Sequence, residues 1–217
     1  MLCLTFQFLK YEVKLPELHD FTFCIWMKTN NFTHPHPLFS YSKHETQRLV
    51  RSWLEPTGVV MLEVMDRRVM KVGLNIVPGH WYHICQTWSN IAGQWVLHVN
   101  GQLAAAGHNW KMRGMVIPGA GDVVVGQEYT DFDKGLDDGI EGEVFGFNLV
   151  TSSNKLSWLH ANLDPGLELV ERSYHQCSAG RGSPMNRKRL LVSWASTPVR
   201  VFGGAVIKRA KSTCGNF

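Results

Sequence analysis

From His80 to Trp88 the chain reads His-Trp-Tyr-His-Ile-Cys-Gln-Thr-Trp, and after a short break Gln94-Trp95-Val96-Leu97-His98-Val99-Asn100-Gly101-Gln102-Leu103 follows. Both runs are rich in aromatic and β-branched residues, and Asn100-Gly101 supplies the positive φ angles of a two-residue hairpin turn. On the first strand Trp81, His83, Cys85 and Thr87 share one face, while Tyr82, Ile84, Gln86 and Trp88 share the other. Apolar groups on both faces predict a strand covered on both sides, as in the middle of a sandwich.

The same punctuation recurs along the chain. Phe21-Thr22-Phe23-Cys24-Ile25-Trp26-Met27-Lys28 alternates in β fashion between Asp20 and Asn30-Asn31. Further strands are expected at Leu38 to Ser42, Leu49 to Trp53, Val59 to Val64, Val69 to Val77, Asp122 to Gln127, Glu143 to Val150, Leu190 to Trp194 and Val199 to Phe202. Turns are expected at Pro56-Thr57-Gly58 and Asp66-Arg67-Arg68. Short, regularly punctuated strands argue for a sandwich or jelly roll. One short helix is expected over Lys155 to Leu163, ended before Asp164-Pro165-Gly166, and it is the only helix of any length the pattern supports.

With 217 residues, 44% hydrophobic and 18% charged, the chain fits one sizeable all-β domain. No run is long enough to span a bilayer. Residues Met1 to Lys10 carry neither a basic lead nor a small-residue cleavage site and read as a frayed or truncated first strand. Charge is segregated rather than large. Eight acidic residues and one lysine lie between Asp122 and Glu143, whereas nine Lys or Arg and no carboxylate follow from Arg172 to the end. The five cysteines are compatible with reduced core residues or with disulfides.

His83-Ile84-Cys85-Gln86-Thr87-Trp88 fits the pentraxin signature His-x-Cys-x-Ser/Thr-Trp. Phe21-Thr22-Phe23-Cys24 resembles the strand carrying the partner cysteine in that family, and Phe39-Ser40-Tyr41 the strand after it. Val125-Gly126-Gln127-Glu128 resembles the start of the family's calcium loop, Gly142-Glu143-Val144 its exit, and Leu191-Val192-Ser193-Trp194 its last core strand. The resemblance runs from about Tyr11 to Lys208, so residues 1–10 form a poorly matched N-terminal segment and 11–217 a pentraxin-like domain. It implies an all-β, two-sheet jelly-roll sandwich of the concanavalin or laminin-G kind with one short helix. It also implies an extracellular lectin-like protein, secreted or part of a surface protein, that binds ligands through calcium and assembles as a cyclic homo-oligomer.

The resemblance pairs Cys24 with Cys85 across the sandwich, 61 residues apart. Other pentraxin-like modules carry cysteines flanking the final strands, which here pairs Cys177 with Cys214 and leaves Cys3 free or bonded to another chain. Calcium wants six to eight hard oxygens from a flexible loop. Glu128, Asp131, Asp133, Asp137, Asp138 and Glu141 crowd six carboxylates into fourteen residues and would repel one another without a cation. The loop is not an EF-hand, because from Asp131 positions six and twelve would be Leu136 and Gly142. On the family pattern Glu128 falls on a calcium-ligand position and Asp137 on a later one. Tyr129 and Thr130 replace the family's Gln-Asp pair, and Glu45, Thr46 and Gln47 stand near its Asp-Asn pair. Ser52, with Trp53 beside it, occupies the aromatic position of phosphocholine-binding members, so that specificity is not carried over.

Other features have plainer readings. His34 with His36, or His80 with His83, could be read as zinc pairs, but an extended loop and the strand signature account for them. Asn31-Phe32-Thr33 is a glycosylation sequon in an expected turn, meaningful only if the protein is an exported glycoprotein. Arg187-Lys188-Arg189 and Lys208-Arg209-Ala210-Lys211 form a basic edge suited to anionic glycans or an acidic neighbour, with no motif for sequence-specific nucleic acid. Carboxylates gathered in one loop rather than alternating into a cleft argue against a glycosidase. The residues favour a recognition module for a glycan, a phospholipid headgroup or a protein, with a structural or adhesive domain lacking a working metal site as the alternative.

Overall fold

In the computed structural model, which describes residues 8–44, 47–128, 139–151, 165–175 and 189–209, the alternating runs become paired strands. In chain order these are β1 (Phe8–Tyr11), β2 (Asp20–Thr29), β3 (His36–Lys43), β4 (Gln47–Leu54), β5 (Val59–Val64), β6 (Arg67–Gly73) and β7 (Tyr82–Ser89). Then follow β8 (Gln94–Val99), β9 (Gln102–His108), β10 (Asp122–Val125), β11 (Gly142–Val150), the helix α1 (Pro165–His175), β12 (Leu190–Val192) and β13 (Val199–Phe202). One sheet has the order β13-β1-β10-β3-β4-β5-β6 and the other β12-β11-β2-β7-β8-β9, with every named pairing antiparallel. The architecture is a two-sheet jelly-roll sandwich with a single described α-helix, besides a 3-10 turn over Trp110–Met112.

Period-two alternation decides what lies between the sheets. Phe21, Phe23, Ile25 and Met27 of β2 point inward and are buried, with Ile84 and Trp88 of the neighbouring β7. The Phe23 ring meets Phe39 of the facing sheet at 5.0 Å, and Phe39 meets Phe147 at 5.3 Å. Truncating one such ring to alanine costs about 3–5 kcal/mol, so this cluster of tilted rings is a principal lock between the layers. Strand β1 joins the other edge of the core, its Phe8 stacked on Phe202 of β13 at 4.6 Å. It runs across the boundary that the sequence pattern placed after residue 10.

The outward residues of β2 and β7 are covered by α1. Leu169 and Val170 pack over Cys24 and Cys85, which are joined by a disulfide. The two cysteines stand opposite each other on adjacent strands of one sheet, so the bridge does not cross the sandwich as expected. The inward positions of β2 and β7 are taken by the large apolar side chains, and the cysteines occupy the alternate face.

The described helix lies beyond the one the sequence pattern placed. The expected helix at Lys155 to Leu163 lies outside the described residues, and α1 starts at Pro165, where a stop was expected. Proline breaks a helix interior but suits its first residue, because its fixed φ is helical and its missing N–H would have no partner there. Glu168 in the first turn and Arg172 and His175 in the last complement the helix dipole, and Glu168 pairs with Arg172 at 2.8 Å.

Smaller differences concern strand ends. Asn100 and Gly101 turn with φ of 50° and 75°, as the hairpin requires, and β9 continues to His108 through Ala104-Ala105-Ala106. Alanine has little β preference, so there the pairing to β8 overrides propensity. Strand β6 begins at Arg67 and ends at Gly73, the turn before it resting on Met65 and Asp66 with φ of 52° and 56°.

Candidate functional site

The acidic segment leaves the seven-stranded sheet after β10 and returns into β11. Residues 129–138, and with them Asp131, Asp133, Asp137 and Asp138, lie outside the described residues, as do Glu45, Thr46, Cys3, Cys177 and Cys214. Its two ends are described. Gly126 turns with φ of 91°, and its carbonyl accepts from the Ile140 amide at 2.9 Å, closing the base of the segment. On the return side Glu141 offers its carbonyl to the Asn30 amide at 3.0 Å. His34 Nε2 bonds the Gly139 carbonyl at 2.8 Å, and the Asn31 side-chain amide donates to the Glu141 carboxylate. Gly142 packs against the backbone of Lys28 where a Cβ would overlap the carbonyl oxygen, so a glycine is needed for β11 to start beside β2.

Glu128 is buried, its side chain only 3% exposed. One carboxylate oxygen contacts Arg51 Nε, and the other lies 3.7 Å from Arg48 Nη2. Arg51 is in turn placed by Trp53, whose ring lies 4.5 Å beneath the guanidinium, and by Glu63 at 3.9 Å on the partner strand β5. A carboxylate is expensive to bury without a counter-charge, and here two guanidiniums supply it. A calcium ligand must direct its negative charge at the ion, whereas here the Glu128 charge already faces two guanidiniums. Arg48 and Arg51 are the residues the sequence pattern did not single out. The available signal was Arg51 sharing a strand face with Trp53.

On the opposite sheet the signature histidine serves the helix. His83 is fully buried, its Nε2 is 2.8 Å from Ser173 Oγ, and Trp26 Nε1 donates to the Ser173 carbonyl at 3.1 Å. Burial pushes the His83 pKa down to about 3, with the charges of His98 and His175 acting in the same direction. Cys24, His83 and Cys85 are near enough for a metal, yet both sulfurs are consumed in the disulfide. His80 is exposed and bonds the Pro78 carbonyl at 3.2 Å, apart from His83. The His34 and His36 rings lie 4.6 Å apart, with His36 Nε2 bonded to the Asn31 carbonyl at 2.8 Å.

At the sequon the Asn31 side-chain oxygen Oδ1 accepts from Thr33 N and Oγ1, at 3.1 and 3.0 Å. The basic C-terminal stretch meets the acidic side within the same chain, Lys208 lying 3.9 Å from Glu143, which also pairs with Lys28 at 3.2 Å. No described helix is long and apolar enough to cross a membrane.

Residues 4–158 match the model of the Pentaxin family, and the chain belongs to this family of recognition proteins. Neuronal pentraxin-1 of Rattus norvegicus is 27% identical over 205 residues, covering 92% of this chain and 42% of the relative. C-reactive protein 1.4 of Limulus polyphemus is 30% identical over 139 residues, 62% of this chain and 57% of the relative. Among solved structures, the native heptameric SAP-like pentraxin from Limulus polyphemus superposes with a TM-score of 0.66 at 18% identity, over 94% of this chain and 92% of that one. The extracellular region of zebrafish Gpr126/Adgrg6 contains the same fold, with a TM-score of 0.61 at 13% identity, over 92% of this chain and 25% of that one. The chain spans about two fifths of the length of the neuronal pentraxins it matches.

Proposed function

We propose that this chain is an extracellular pentraxin recognition module that binds a glycan or phosphorylated surface group at the acidic segment between β10 and β11. Calcium is held there by Asp131, Asp133, Asp137 and Asp138 and bridges the anionic ligand to the protein. The observation that carries the reading is the closure of both ends of a strongly acidic segment. The bonds from Gly126 to Ile140 and from Asn30 to Glu141 hold its ends on the sandwich, as a loop that gathers several oxygens around one ion needs. A disulfide in the sheet is consistent with an oxidising, extracellular location, where a glycan on Asn31 would sit beside the same segment. The module recognises rather than catalyses, and a cyclic homo-oligomer would multiply weak single-site contacts.

Calorimetric titration with calcium, with melting curves in calcium and in chelator, tests this. Saturable binding and a higher melting temperature in calcium, both lost in Asp137→Asn/Asp138→Asn, are expected. Absence of heat and of a melting shift at millimolar calcium would sink the metal-dependent reading.

A second reading is favoured by one observation: the same fold makes up a quarter of a longer extracellular region in Gpr126/Adgrg6. On that reading the chain is a structural or adhesive domain of a larger surface protein, and its partner is sought on its surface without calcium.

A further inference from the structure

In the family pattern the position of Glu128 faces a calcium ion, and the loop after the Phe-Ser-Tyr strand adds oxygen ligands from the other side. Here Glu45, Thr46 and Gln47 stand near the family's Asp-Asn pair, and the strand that follows them is basic. The strand after Phe39-Ser40-Tyr41 is β4, and it presents Arg48 and Arg51 to Glu128, one guanidinium against each carboxylate oxygen. Arg51 is held in place rather than loosely arrayed. Arg51 stacks on Trp53 and lies near Glu63 across the β4–β5 pair, and both arginine side chains are largely covered, at 24% and 30% exposure. Among the described residues, Arg48 and Arg51 lie against Glu128, and Arg51 also against Glu63. A divalent ion brought to Glu128 would sit beside two fixed positive charges and would have to displace at least one of them.

We infer that Arg51, with Arg48, is the resident cation of Glu128. The upstream end of the acidic segment is then organised without metal, and calcium bound by this chain leaves Glu128 uncoordinated. The metal preference of the module is set by Arg51 as a positioning residue, which confines any ion to the carboxylates further along. In the matter of calcium this rests on the proposed function, but the role of Arg51 does not.

The test compares the unaltered chain with Glu128→Gln, Arg48→Gln/Arg51→Met, and the triple variant combining them, each by calorimetry with calcium and by melting in calcium and in chelator. Glu128→Gln is expected to leave calcium affinity within about twofold, whereas losing a ligating carboxylate weakens it by roughly tenfold or more. Arg48→Gln/Arg51→Met is expected to melt lower in chelator and to gain a calcium-dependent rise larger than that of the unaltered chain, because the bare carboxylate now accepts the ion. That gain is expected to vanish in the triple variant. A tenfold weakening in Glu128→Gln would overturn the inference, as would an arginine variant with no added calcium response. If the unaltered chain binds no calcium at all, the metal part of the proposed function fails while the arginine variant still decides this one. If the arginine variant does not fold, Glu128→Gln in the calcium-binding chain decides alone.

Discussion

Cys24 and Cys85 face each other on β2 and β7 with 4.1 Å between their Cα atoms, and Leu169 and Val170 of α1 close over the bridge they form. The bridge ties strands that are 61 residues apart in sequence, so it restricts the unfolded chain more than the folded one. In the chain-entropy account a loop of that length is worth about 4 kcal/mol. Cys24→Ala/Cys85→Ala is therefore expected to lose about that much in urea unfolding, with the six-stranded sheet still formed by circular dichroism. A loss well below 1 kcal/mol would mean that strand pairing already restricts the unfolded chain.

His83 makes acid stability a property of the helix face. Its folded pKa, near 3, lies below the ordinary value of 6.5, so the unfolded chain binds the proton first. Stability is unaffected above pH 6.5 and falls as pH drops from 6.5 toward 3, by at most about 1.4 kcal/mol per pH unit from this one group. Urea midpoints at pH 7, 6, 5 and 4 measure the slope. His83→Gln, which can still reach Ser173 Oγ, is expected to flatten it, and an unchanged slope would assign the acid sensitivity to carboxylates instead.

Most strands were legible because the inward residues of β2 and β7 alternate with residues that a helix covers. Asn100-Gly101 was legible for a different reason, since few pairs tolerate positive φ at both positions. The start of α1 was not, because Pro165 reads as a stop unless it is known to be the first residue of the helix. The disulfide pair was legible through family resemblance, but its placement within one sheet depends on which face of β2 meets α1. At the site, Glu128 stood out as a carboxylate after an apolar strand. Its counter-charges did not, because Arg48 and Arg51 come from a strand far earlier in the chain and reach it only once β3 lies between β4 and β10.

Gly101 is required twice over, by its φ of 75° and by Tyr174, whose ring would stand 2.6 Å from an added Cβ. Gly79 separates the two demands, having φ of 79° and open space around the same position. Gly79→Ala is expected to cost about 1 kcal/mol for the left-handed backbone alone. Gly101→Ala is expected to cost about 3 kcal/mol and to perturb the stack of Tyr174 on Trp26, at 5.6 Å, in near-ultraviolet circular dichroism. Equal costs at the two glycines would show that the helix yields freely at the turn.

The Glu128–Arg51 pair is unequal, and mutation should reveal it. Glu128 is almost wholly covered, whereas Arg51 keeps 24% of its side chain exposed and can recover water if its partner is neutralised. Removing Arg51 leaves the buried carboxylate with Arg48, at 3.7 Å, as its remaining described counter-charge, for which up to about 3 kcal/mol is the expected cost. Glu128→Gln leaves a guanidinium that rehydrates and still rests on Trp53, so about 1 kcal/mol is expected. The double variant Glu128→Gln/Arg51→Met should be more stable than Arg51→Met alone, because the buried charge is gone. A double-mutant cycle in chelator, read by urea unfolding, gives these values. Costs that simply add would mean that the two side chains do not sense each other, and Arg48 would then be the group that neutralises Glu128.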